Sequence, residues 1–389
     1  MNKKKILFSV AVASTIALTG VVLFANGGLK SSSVFATNGA VWHHYPAVAP
    51  TEATHGSKEF WASSINGCAT HTFDDPGVDE CVDHDFSTYD SFATLTCDDD
   101  RYVPSGNERL GITPMFSTEN KTVTYGLYPQ KNVDDSSLVS ALNALTTPES
   151  NGWYLYDGEY YAKLSATPYS ADSFTSKFDN GTTIVKKTTY WFKCEPIVWN
   201  VLSNSNGKCY VLSSVLLDVH RYYDSQSSRT IDGKTVYANN YKYSDIHTWL
   251  NSDFFDSAFA LGNSHIQTTT VNNGASTTNS ESNPYKCDNT QDNVFLPSYK
   301  NYINSSYGFS DSTSSTNTRY CRTTDWARAR GAWYETSSSY LYNGHYWTRS
   351  PRSDHSYSAW YVKYDGCLDE VRRFVDTAFV SVRPAIKIA

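Results

Sequence analysis

The sequence predicts a mixed α+β domain of short, mostly antiparallel strands with few helices and long loops, preceded by a small Cys/His-rich module. Three observations carry this. Asp-Gly pairs between strand-like runs mark tight hairpins, helical spacing of apolar residues is confined to two regions, and cysteine, histidine and aspartate crowd together before residue 110 with little periodicity. The 389-residue chain is 15% aromatic, which supplies ample core-forming surface.

Residues 1–36 read as an export signal. Lys3, Lys4 and Lys5 form a basic head, and Ile6 to Ala25 carry no charge. Val34-Phe35-Ala36 offers small or apolar residues where a signal peptidase cuts, so cleavage is expected after Ala36. The rival reading is an uncleaved anchor, because roughly 20 apolar residues span a bilayer as a helix. Both readings place residues 37–389 outside the cytoplasm, secreted or held at the cell surface, with the membrane touched only by the N-terminal segment.

Residues 37–110 form the expected small module. It holds Cys68, Cys81 and Cys97, together with His43, His44, His55, His71 and His84. Cys68-x2-His71 and Cys81-x2-His84 repeat one spacing, and two thiolates with two imidazoles can make a tetrahedral structural zinc site that a module with little core would gain from. The alternative is a Cys68–Cys81 disulfide, or ordinary thiols with solvated histidines, since an exported chain meets an oxidising exterior. Asp98-Asp99-Asp100 lacks the spacing of a calcium loop and reads as a solvated turn.

From residue 121 the pattern is regular. Val123, Tyr125 and Leu127 alternate toward one face and predict a strand ending at Pro129. Leu138, Leu142 and Leu145 form a helical stripe behind a cap at Ser136 or Ser137. Asp157-Gly158 and Asp232-Gly233 each predict a two-residue hairpin turn, and Tyr190 to Leu202 with Cys209 to Ser213 form a longer hairpin that leaves Cys194 and Cys209 out of register. A second helix starts at Ser244, burying Ile246, Trp249 and Leu250, with Ser252 capping a further turn over Phe255 and Phe259. Residues 267–292 and 310–318 are rich in Thr, Asn and Ser and read as long exposed loops. Short strands are expected at His345–Arg349, Ser358–Lys363 and Phe379–Ile388.

The order Tyr125-Gly126-Leu127-Tyr128-Pro129-Gln130, Trp191-Phe192-Lys193, Pro196-Ile197-Val198-Trp199, Asp245-Ile246-His247-Thr248-Trp249-Leu250-Asn251, Phe295-Leu296-Pro297-Ser298, Ala327-Arg328-Ala329-Arg330-Gly331-Ala332, Tyr346-Trp347-Thr348-Arg349-Ser350-Pro351 and Val382-Arg383-Pro384-Ala385-Ile386 resembles a large family of uncharacterised bacterial exported domains. The resemblance covers about residues 121–389. That family looks like a relative of the C-type-lectin-like fold, in the branch shared with formylglycine-generating sulfatase-modifying factors. It implies a rigid β platform displaying long loops, with no established chemistry. The calcium motifs of sugar-binding C-type lectins are not matched, since Glu195-Pro196-Ile197 and Trp199-Asn200-Val201 lie inside an apolar strand pattern. Cys321 and Cys367 lie in no motif matching the paired-cysteine metal site of the sulfatase-modifying enzymes.

A net charge of −7, with no run of Lys and Arg beyond the first residues, argues against nucleic acid as a partner. Enzyme signatures such as Gly-x-Ser-x-Gly, His-Glu-x-x-His or a phosphate loop do not occur, and no catalytic residue is assigned. Trp326, Arg328, Arg330, Trp333, Trp347 and Arg349 gather in the closing segments. As a ligand site, the guanidinium forks would grasp an anionic group and the indoles would stack on a ring. As structure, they would form a partly buried Arg–Asp–Trp network locking the last strands. The expected function is ligand binding without chemistry, with a glycan or a host or cell-surface protein as partner. The alternatives are an exported carbohydrate- or cell-wall-active enzyme and a purely structural surface component.

Overall fold

The alternation of Val123, Tyr125 and Leu127 becomes strand β1 (Thr122–Asn132), with all three side chains buried. In the computed structural model, residues 110–117, 121–171, 174–205, 208–368 and 372–389 are described. The chain divides into two units, residues 1–109 with 113–122 and residues 110–112 with 123–389. Of the first, only residues 113–117 and 121–122 are described, including the strand Met115–Ser117. The expected export segment, residues 1–36, and the expected zinc ligands Cys68, His71, Cys81 and His84 lie outside the described residues. No helix among the described residues is long and apolar enough to cross a membrane. The second unit is strand-rich with few helices, a broadly α+β architecture.

β1 runs through Pro129 instead of stopping there, since proline removes one donor without ending an extended backbone. Helix α1 (Ser136–Asn143) follows, capped one residue earlier than expected by Asp135, whose Oδ1 accepts from Leu138 N at 2.8 Å. Leu142 is buried, and Leu138 and Leu145 pack beside it with Tyr161 and Trp191. β2 (Tyr154–Tyr156) and β3 (Glu159–Ser165) pair with Tyr156 opposite Glu159, leaving Asp157 and Gly158 as the turn at φ 49° and 73°. Positive φ at both positions matches the strand twist, and Gly158 takes it at no steric cost.

β4 (Thr189–Ser205) and β5 (Lys208–Ser213) form the long hairpin. A register shift between Val201 and Ser203 sets Asn204 opposite Cys209, so Cys194 lies far along the strand and both thiols are free. β6 (Asp218–Val219) precedes the hairpin β7 (Arg229–Ile231) and β8 (Lys234–Val236), again turned by an Asp-Gly pair. Helix α2 (Asp245–Trp249) is capped by Ser244, whose hydroxyl accepts from His247 N. A π-helical turn, Leu250–Phe254, joins it to α3 (Phe255–Ala258). Ser252 sits inside that turn and donates to Thr248 O rather than capping, and the extra residue shifts the buried face so that Phe254 is inside while Phe255 is half-buried.

The Thr/Asn-rich stretch 267–292 departs from the expectation of an exposed loop. It is tied by the pairing of β9 (Thr269–Val271) with β10 (Thr290–Asp292), and Asn273, Thr278 and Asn283 are buried. Composition misleads here because the amide nitrogens find acceptors internally: Asn283 Nδ2 donates to Pro351 O at 2.9 Å and Asn273 Nδ2 to Asp288 O at 3.1 Å. The 310–318 loop is mostly exposed but anchored by the buried Arg319, which donates to the carbonyls of Tyr302, Ser310, Ser312, Ser314 and Gly366.

The remaining elements are β11 (Val294–Phe295), helix α4 (Asp325–Arg330), β12 (Tyr346–Pro351), β13 (Ser358–Val362), β14 (Arg373–Phe374), β15 (Ser381–Val382) and β16 (Ala385–Ile388). One sheet runs β1-β4-β5-β16-β11, with hairpin β2-β3 joined through β3 to the start of β4. A second large sheet runs β14-β13-β12-β15-β6, antiparallel except for β12 beside β15. A core of Leu212, Leu216, Tyr302, Tyr346, Val362 and Ala385 draws on both sheets. Each large apolar side chain buried there contributes about 1.5–3 kcal/mol.

Candidate functional site

The apolar run Val215-Leu216-Leu217-Asp218-Val219 places one carboxylate where none is expected. Asp218 is wholly buried on β6, and a buried charge persists only when it is paired and hydrogen-bonded. Its Oδ2 accepts from Tyr128 Oη at 2.6 Å and from Trp326 Nε1 at 3.1 Å. Its Oδ1 accepts from Val219 N at 2.7 Å and faces Arg330 Nε at 2.8 Å. The carboxylate therefore ties β1, β6 and α4 together. Burial, then the Asp218 charge, pushes the Tyr128 hydroxyl well above its usual range, so it donates. The same carboxylate holds Arg330 more firmly protonated than usual.

Above this anchor lies a cleft of about 400 Å³. Tyr128, Trp153, Trp249 and Trp326 line it, together with His220, Arg330, Asp253, Lys163 and Asn151. Each wall has a local cause. Trp153 begins the β2-β3 hairpin, whose turn brings Lys163 back beside it; Trp249 ends α2; Trp326 and Arg330 lie on α4, which Thr324 caps and Gly331 ends in the left-handed region. His220 stacks on Trp249 with ring centroids 5.0 Å apart and planes 24° apart. Trp347 Nε1 donates to His220 O at 3.0 Å, bracing the strand end behind the cleft. The result is an aromatic lining shared with two cations, an imidazole and an exposed carboxylate, which suits a ligand with apolar ring faces and many hydroxyls.

The six closing-segment residues thus separate in space. Trp326 and Arg330 line the cleft, and Trp347 stands behind it. Arg328 is fully buried, pairs with Asp325 and with Asp179 at 2.8 Å, and lies over the Tyr342 ring at 4.2 Å. Trp333 stacks on His345 at 4.3 Å, away from this cleft's lining. Arg349 is buried and donates to the carbonyls of Leu296 and Asn272. The residues that the sequence did not assign to a site are Tyr128, Trp153, His220, Trp249 and Asp218. Only Asp218 carries a local signal, as a lone acid in an apolar run.

A second polar cleft, of about 240 Å³, is lined by Glu195, Asp325, Arg322, Asp179, Lys131 and Thr324 among others. Burial raises the Glu195 carboxyl above its ordinary value, against the pull of Lys131 and Lys193. Among the described residues no group of three or more His, Cys, Asp or Glu is arranged to hold a metal ion.

Residues 206–389 match the family described as Domain of unknown function (DUF6273). The match begins between β4 and β5 and includes His220, Trp249, Asp253, Trp326 and Arg330, while Tyr128, Trp153 and Lys163 come from outside the matched residues. The cleft is therefore built by residues inside the match and by the strands before it. Compared with curated proteins and with solved structures, the chain shows no significant match.

Proposed function

We propose that this chain is an exported or cell-surface protein whose residues 121–389 form a C-type-lectin-like domain that binds a glycan, free or carried by a host or cell-surface protein, without catalysing a reaction. The observation that carries the reading is the 400 Å³ cleft in which Trp153, Trp249, Trp326 and Tyr128 share walls with Arg330, His220 and Asp253. Sugar rings present C–H faces that pack on indoles and hydroxyls that exchange hydrogen bonds with such polar groups, and a cleft of this size takes one or two rings. The lectin-like architecture is supported by the motif order along residues 121–389 and by its closing strands β12 and β16. Export is supported by the basic head and apolar run of residues 1–36. In the preceding module, Cys68, His71, Cys81 and His84 would hold a structural zinc, and metal analysis of the folded chain with and without chelator tests this.

The test of the binding reading is a glycan array probed with residues 37–389, followed by tryptophan fluorescence titration of any glycan retained. Saturable quenching with no product formed is expected. Absence of retention on glycans and glycoproteins alike would overturn the proposal. A second reading, an exported carbohydrate-active enzyme, rests on the raised Glu195 carboxyl facing the same cleft as Asp325. Turnover abolished by Glu195→Gln would establish it.

A further inference from the structure

A third, smaller cleft shares no lining residue with the other two. It measures about 130 Å³ and is lined by Tyr210, Thr269, Thr270, Asn301, Arg349 and Lys387 among others, with no carboxylate in its lining. Tyr210 on β5 and Lys387 on β16 are direct cross-strand partners, so their side chains share one face of the sheet. Arg349 reaches the cleft from β12. Its Nη1 donates to Leu296 O at 2.8 Å and to Asn301 Oδ1 at 3.2 Å, and its Nη2 donates to Asn272 O at 3.0 Å. All of these acceptors are neutral.

Two atoms here are left over. Arg349 Nε and the Tyr210 hydroxyl are buried and have no hydrogen-bond partner among the described residues. Buried polar groups are usually hydrogen-bonded, and a buried charge gains from a counter-ion. The acid that acts on Arg349 from nearby is Asp292, and it is engaged by His247 at 2.8 Å and by Thr290 Oγ1 at 2.9 Å. Burial lowers Arg349 below its ordinary range, which an anion in the cleft would reverse.

We propose that the cleft at Tyr210, Arg349 and Lys387 is a binding site for a carboxylate group. Arg349 and Tyr210, which carry the two orphaned donors, line the cleft together with Lys387; a carboxylate offers two acceptor oxygens and a negative charge, and the volume admits a planar group of a few heavy atoms. Arg349 then has its counter-ion and Tyr210 its acceptor. The site lies wholly within the DUF6273 match and stands independently of the aromatic cleft.

The experiment is calorimetric titration of residues 37–389 with acetate and, separately, with inorganic phosphate, at fixed pH and ionic strength held with chloride. Saturable acetate binding is expected, weakened at least about fivefold in Tyr210→Phe and in Lys387→Met. Both variants leave the Arg349 hydrogen bonds to Leu296 and Asn272 in place, so folding is checked separately by circular dichroism. Tyr210→Phe is decisive, because in an empty cleft it deletes an unsatisfied hydroxyl and changes no affinity. Phosphate binding without acetate binding, no binding of either, or acetate affinity unchanged in both variants would each overturn the proposal. Glucuronate and N-acetylglycine, titrated alongside, separate an acidic sugar from a peptide terminus as the bearer of the group. Binding of either that weakens in the same variants supports the site.

Discussion

Asp218 Oδ1 and Arg330 Nε lie 2.8 Å apart, with the carboxylate wholly buried and the guanidinium one-third exposed toward the aromatic cleft. The pair works in one direction: the interior fixes Asp218 through Tyr128, Trp326 and Val219, and Asp218 then fixes the cation that a ligand would meet. A long arginine side chain held this way has already lost much of its rotamer freedom before binding.

Asp218→Asn is expected to destabilise the protein by about 2–4 kcal/mol, because one acceptor oxygen becomes an amide aimed at donors and Arg330 loses its counter-charge. Urea unfolding measures this. An unchanged midpoint would show that the hydrogen bonds converging on Asp218 contribute nothing net.

Stability should fall on acidification through His345. Burial first, and then the charges of Arg373 and Lys363, pull its pKa down to about 3 from an ordinary 6.5. The folded value is depressed, so between pH 6.5 and about 3 the unfolded chain holds one more proton and stability rises with pH. The contribution is fully present above pH 6.5 and is eroded by about 2 kcal/mol at pH 5. His345→Phe keeps a ring against Trp333 but cannot be protonated. Its unfolding free energy should lose roughly one proton's worth of slope between pH 7 and 4, and a profile parallel to that of the parent would refute the assignment.

Particular residues show where the sequence was legible. Asp157-Gly158 and Asp232-Gly233 specified their turns because positive φ is a local demand. Ser244 specified the start of α2 because capping is equally local. The aromatic cleft was not legible, since Tyr128, Trp153, His220, Trp249 and Trp326 come from five separate segments that only tertiary folding brings together. Trp249 reads from its helical spacing as core, and it is both core and wall. Asn273 and Asn283 were misread as exposed because nothing in composition says where an amide finds its acceptors. Among the closing-segment arginines, chain proximity suggested one cluster. The alternation of β12 and the turn of α4 instead send Arg349, Arg328 and Arg330 to three different neighbourhoods.

Gly126→Ala should cost about 2 kcal/mol or more. Gly126 holds φ at 77° in mid-strand, and an added Cβ would sit 2.6 Å from Phe259 Cε1 and 3.0 Å from Ala258 O. Strain and overlap therefore add at one position, and β1 would be pushed from α3. Thermal unfolding reports the loss, and a melting temperature within a degree or so of the parent would contradict the packing.

The last prediction separates binding from folding at the aromatic cleft. Lys163 and Asp253 are exposed and line the cleft, and Lys163 also lies over the ring of the buried Trp191 at 5.1 Å. Replacing Asp253 by Ala should shift stability by no more than about 0.5 kcal/mol, the usual range for surface sites, and replacing Lys163 by about 1 kcal/mol at most, since its contact with Trp191 is also lost. Each would nevertheless remove a hydrogen-bonding group from the ligand, weakening a bound glycan by about 0.5–1.5 kcal/mol, or some two- to tenfold. Trp153→Ala would instead weaken both binding and stability, since its ring also packs edge-on against Tyr128 at 6.3 Å. Glycan titration paired with urea unfolding on the three variants gives the answer. Full affinity in both the Lys163→Ala and Asp253→Ala proteins would move the ligand out of this cleft.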